Sequence, residues 1–216
     1  MRTPANIYAS ELQAQHTIES DDLLKICRLA KVENVFDKIE SFSFEQFFGF
    51  ACHLFITTES RSSREQLAHL LPKFGSIAVF SLLKISHHLS TADSALEREQ
   101  QLAMLSMQSL KTMSVPTLVI GLAQIIETEI GAEQRNYQDT MDMVVPALIT
   151  LTAYHGENIL SVLSDKLSAA AWNDLQQQLL QALSTLRVQS PLRNSSTHPI
   201  KVKVKNSELQ LAEVAC

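Results

Sequence analysis

Apolar residues recur at helical spacing along most of this chain, and the breaks between them carry turn chemistry. Ser20-Asp21-Asp22 puts acidic side chains where a first helical turn favours them, and Leu23, Ile26, Cys27, Ala30, Phe36 and Ile39 follow. This predicts a helix running from residue 20 to near Glu40. Ser43 and Gln46 have the spacing of a capping box and open a second helix, rich in phenylalanine. Ser62-Ser63-Arg64-Glu65 opens a third, which Pro72 ends or kinks. Gly75-Ser76 turns the chain into an apolar helix over 77–85, with His87-His88 at its end. Residues 97–113 make a further helix. Residues 143–153 are apolar, Pro146 kinks that run or marks its first turn, and Gly156 closes it. Asn158 starts a short helix, and Ser168 caps a last one through Trp172, Leu175, Leu179, Leu180, Leu183 and Leu186.

The most apolar stretch is 114–131, with no charged residue from Thr112 to Ile126. It is shorter than the roughly 20 residues of a membrane span, so it reads as a buried helix. Ser114 is its N-cap, Pro116 lies in the first turn, and Gly131 closes it. A helix that is apolar all round must be covered on several sides. The pattern predicts an all-α fold, either an irregular helical bundle or a short α-solenoid of antiparallel helix pairs, over 1–188.

The pattern changes at Gln189. Residues 190–199 have the composition of a linker. Then Ile200, Lys201, Val202, Lys203, Val204 and Lys205 alternate with the period of a strand, and Asn206-Ser207 can turn it into a hairpin. A flexible tail over 189–216, with a short strand or hairpin, is the expectation.

Composition narrows the function classes. The chain has 216 residues, is 45% hydrophobic and carries a net charge of −5. An acidic chain without clustered Lys and Arg is no general nucleic-acid binder. The charge is uneven: 1–187 carry −7 and 188–216 carry +2. Three widely spaced cysteines, Cys27, Cys52 and Cys216, form neither a disulfide framework nor a zinc pattern. The N-terminus lacks the apolar core of a signal peptide, which predicts a cytoplasmic location or export by a route that needs no cleavable N-terminal signal.

A repeat is visible. Gly75, Ser114 and Gly156 are 39 and 42 residues apart, and each precedes an apolar helix. Two helices per unit of about 40 residues resembles HEAT-type solenoids, and Pro72 and Pro146 resemble the proline of their first helices. The Asp and Arg that HEAT repeats commonly carry are missing here. The resemblance covers 64–167 and implies a protein-binding scaffold.

Catalytic motifs are not visible. His87 and His88 are adjacent, so their side chains diverge by about 100° on a helix and cannot easily share a metal. Glu65 and His69 form an ordinary surface pair at i, i+4, without the further carboxylates of a dimetal site. Glu127, Glu129 and Glu133 read as a solvated loop. No phosphate loop, nucleophile elbow or paired Cys-x-x-Cys occurs. No catalytic residue, metal or cofactor is expected. The reading is a protein–protein interaction module: a cytoplasmic adaptor, scaffold or chaperone-like subunit of a larger complex. The tail strand, Ile200 to Lys205, would add to a partner's sheet edge or, being +2 against −7, bind its own helical body. The alternative is a helical enzyme or small-ligand regulator with a pocket among Phe44, Phe47, Phe48, Phe55 and Phe80. A homodimer through the last helix is a further expectation, for which Leu179→Glu is the probe.

Overall fold

A computed structural model describes residues 16–31, 43–90, 97–129 and 134–189, together with the backbone of two short strands. The fold is all-α. The described residues form nine α-helices: α1 (Ser20–Leu29), α2 (Phe44–Thr57), α3 (Arg61–Leu70), α4 (Ile77–Ser90), α5 (Glu97–Thr112), α6 (Val115–Glu129), α7 (Gln134–His155), α8 (Asn158–Lys166) and α9 (Ala169–Gln189). A 3₁₀ turn, Leu71–Phe74, follows α3. In the tail, β1 (Lys203–Lys205) pairs antiparallel with β2 (Glu208–Gln210), with Val204 opposite Leu209. The chain divides into two compact units between Gly121 and Leu122, within α6.

Local hydrogen bonds set most helix starts. Ser43 Oγ accepts the Gln46 amide while Gln46 Oε1 accepts the Ser43 amide, completing the capping box. Ser114 Oγ accepts the Thr117 amide, and Ser168 Oγ that of Ala171. Three boundaries differ from the expectation. The first helix stops at Leu29, where Lys31 takes a left-handed conformation with φ 54°, and residues 32–42 lie outside the described residues. The third starts at Arg61, because Ser60 rather than Ser62 caps it; Ser62 instead accepts a hydrogen bond from Gln66. The helix expected over 143–153 begins at Gln134, so Pro146 lies in its interior. Gly131, the expected stop of α6, lies outside the described residues.

The first unit is pinned by the 3₁₀ turn, which touches α2, α3, α4 and α5. Leu71 and Phe74 are fully buried there. Pro72 withholds an amide from the α3 ladder, and Gly75, at φ 77°, supplies the turn that α4 needs. α4 lies along α5, and α3 packs on α5. The amide of Thr17 donates to the Lys73 carbonyl at 2.8 Å, and Lys73 Nζ donates to the buried Asp22 carboxylate at 2.8 Å. Lys25 and the Glu19 amide complete the Asp22 shell. Six consecutive residues of α6, 118–123, are buried, as an all-round apolar helix requires.

In the second unit α7 packs on α8 and α9. Ala171, Leu175 and Leu179 form the inner stripe of α9, and Val144, Leu148 and Leu151 that of α7; all six are at least 95% buried. Glu127 accepts the Ser168 amide at the start of α9, so this carboxylate supports a helix N-terminus. No single helix among the described residues is long and apolar enough to cross a membrane.

Candidate functional site

The second unit contains an open groove between α7 and α9, with a volume of about 480 Å³. Its α7 wall is Gln138, Met141, Asp142, Val145, Pro146 and Ile149; its α9 wall is Gln178, Gln181, Ala182 and Thr185. These are residues i, i+3, i+4, i+7, i+8 and i+11 on one helix and i, i+3, i+4 and i+7 on the other. Each wall is therefore one stripe of a helix. The α7 stripe rises 11 residues, roughly 16 Å at 1.5 Å each. Met141 and Val145 are buried and form the floor. Glutamines, Asp142 and Thr185 form the rim.

Two local features shape the groove. Tyr137 donates its hydroxyl to Asp174, tying the N-terminal turns of α7 and α9 together. Burial, and then the hydrogen bond and charge of Asp174, push the Tyr137 phenol above the ordinary tyrosine range. Pro146 has no N–H, so the Asp142 carbonyl four residues before it lacks its ladder donor. Asp142 is one of the groove-lining residues. The Asp142 carboxylate accepts from Gln138 at 2.8 Å. The wall holds one carboxylate and no His, Cys or Lys. That donor set suits recognition of a surface better than acid–base work.

The phenylalanines expected to line a pocket are only partly gathered. Phe44 and Phe48 set their rings 5.5 and 5.3 Å from Phe74. Phe47 and Phe55 are buried, and Phe47 meets Phe50 edge-on at 6.0 Å. Phe80 is 43% exposed on α4, with the Lys84 ammonium 5.9 Å from its ring centre. None of the five lines the α7–α9 groove. Phe74, the ring that joins Phe44 to Phe48, was not among the expected residues. Its signal was available: an apolar residue in a Pro-Gly turn must be buried somewhere.

Other singled-out residues have structural partners. Glu65 pairs with Arg61 at 3.0 Å, and His69 is exposed. His87 and His88 stand at the end of α4 with rings 5.9 Å apart. No group of three or more metal-ligating side chains occurs among the described residues. Burial pushes the Cys27 thiol up, and pushes Cys52 up to about 12 against an opposing hydrogen bond with Ser81. Both are poor nucleophiles in that state. Leu179 is 2% exposed, so Leu179→Glu would break the core of the second unit; Leu180, its neighbour on α9, is 42% exposed. In the tail, Ile200, Lys201 and Val202 lie outside the described residues, while Lys203, Val204 and Lys205 form β1.

No known protein family, curated protein or solved structure matches the chain.

Proposed function

We propose that this protein is an interaction module that receives an amphipathic helix of another protein in the α7–α9 groove. The observation that supports this is the pair of helical stripes with an apolar floor and polar rim. An α-helix presents anchors at i, i+3/i+4 and i+7, and a three-turn stripe matches that repeat. The rim glutamines, Asp142 and Thr185 offer hydrogen bonds to the polar flanks of such a helix. This reading keeps the adaptor or scaffold role expected from the helical repeat and moves recognition from the tail to the helical body.

The test is affinity capture from native lysate with mass-spectrometric identification. The baits are the full-length protein, a chain ending at Gln189, and full-length Ile149→Glu. Ile149 is half-exposed in the groove wall, so the charge reaches the groove without entering the core. A partner that survives the truncation and is lost with Ile149→Glu is the expected result. An interface anchor removed in this way weakens binding by about 2 kcal/mol or more, roughly 30-fold. A partner lost on truncation but kept by Ile149→Glu would place recognition in the tail instead. Absence of any partner would leave the module reading without support.

A further inference from the structure

We infer that a second hollow, in the first unit, is a binding site for a small phosphomonoester. It has a volume of about 460 Å³ and is formed by the N-terminal turns of α3 and α5. Three arginines line it, Arg61, Arg64 and Arg98, against the Glu97 carboxylate in its wall and that of Glu65, which pairs with Arg61. This is a concentrated positive site in a chain of net charge −5.

The arginines are placed with unequal freedom. Arg64 is only 6% exposed. Its Nε and Nη2 donate to Gln101 Oε1 at 3.1 and 2.6 Å, and Nη1 donates to the carbonyls of Thr58 and Glu59 at 2.9 and 3.0 Å. All these acceptors are neutral oxygens. The guanidinium is thus fixed, with no carboxylate among these acceptors. Arg98 donates one Nη2 bond to the Ile56 carbonyl and is otherwise exposed. Arg61 lends its Nε to Glu65 on the surface, a type of pair that a stronger ligand displaces readily. Arg61 and Arg98 can therefore close on an oxyanion while Arg64 marks its position.

The first turn of α3 has no acidic residue but holds Arg61, against the positive end of its own helix dipole. Planar guanidinium forks match phosphate oxygens in pairs. The hollow has the volume of about fifteen water molecules at roughly 30 Å³ each, more than one phosphate fills. Met104, 61% exposed, lines the remainder with apolar surface. The ligand class is therefore a phosphate carried on a compact, partly apolar body.

The test uses full-length protein, titrated calorimetrically with phenyl phosphate and with inorganic phosphate in about 0.15 M NaCl, where long-range charge effects are screened. The variants are Arg61→Gln with Arg98→Gln, both on exposed side chains, and Lys84→Gln on α4 as the control. Saturable binding of phenyl phosphate is expected, tighter than that of inorganic phosphate. It should weaken by about tenfold or more in the double variant and stay unchanged in Lys84→Gln. No saturable binding by the wild-type protein would overturn the site. So would equal binding by wild type and a folded double variant, or an equal loss in Lys84→Gln. Equal affinity for the two probes would overturn the assignment to a monoester.

Discussion

Phe74→Ala is expected to lower the unfolding free energy by about 3–5 kcal/mol, the usual cost of deleting a buried aromatic ring. Phe74 is fully buried and lies in the 3₁₀ turn that touches four helices of the first unit. Its ring also meets Phe44 at 5.5 Å and Phe48 at 5.3 Å, so the cavity would open at the junction of α2 and the turn. For a chain of this size each kcal/mol moves the melting temperature by about 2–4 °C, so a fall of roughly 6–20 °C is expected. Phe80→Ala, on a ring that is 43% exposed, should cost clearly less than Phe74→Ala. Thermal and urea unfolding followed by circular dichroism measure both. A loss under about 1 kcal/mol for Phe74→Ala would mean that the turn is not the pin of this unit.

The second prediction sets two identical substitutions against each other. Gly49→Ala should stabilise, and Gly121→Ala should destabilise. Both glycines are in helix interiors, where alanine is intrinsically better by about 1 kcal/mol. At Gly49 an added Cβ meets nothing within 4 Å, so the propensity gain stands alone. At Gly121 it would lie 2.5 Å from Val79 Cγ2, 2.6 Å from Val79 Cβ and 2.9 Å from the Ser76 carbonyl oxygen. Val79 is fully buried and β-branched, so it cannot swing aside. The Ser76 carbonyl is backbone and accepts the Val79 amide at the start of α4. Overpacking of this kind costs about 1–3 kcal/mol, which exceeds the propensity gain at most of its range. Denaturant midpoints of the two variants should move in opposite directions. Movement in the same direction would show that α6 can retreat from α4 without loss.

How much of this could be read from the residues alone follows from the range of each interaction. Ser43, Ser114 and Ser168 were legible as caps because a cap is a hydrogen bond across three residues. Ser60 was missed because four polar residues in a row, Glu59 to Ser62, offer several frames for the same cap. The early stop at Leu29 was hidden because the apolar spacing continues to Ile39. The polar first turns of α7 carried no apolar signal before Met141. The groove needed two stripes brought together from α7 and α9, and periodicity shows one stripe at a time. Arg64 read as one more polar residue of a helix start; its partners at Thr58, Glu59 and Gln101 emerge only when α2, α3 and α5 are assembled.

The Asp22–Lys73 contact makes folding of the first unit a proton-coupled reaction. Burial opposes the charged carboxylate, but the hydrogen bonds from Lys73, the Glu19 amide and Lys25, with the charge of Lys73, outweigh it and hold the Asp22 carboxyl below its ordinary value. The folded chain therefore stays ionised at this site under acid that already protonates the unfolded chain. Its stabilisation is complete above the ordinary carboxylate value of about 4 and is lost as pH falls through the depressed one. Within that interval unfolding takes up a proton, and the acid limb of the stability curve should flatten in Asp22→Asn. Lys73 therefore joins α1 to the turn twice over, through its ammonium on Asp22 and through its carbonyl, which accepts the Thr17 amide just before α1; only the first of these bonds depends on the proton.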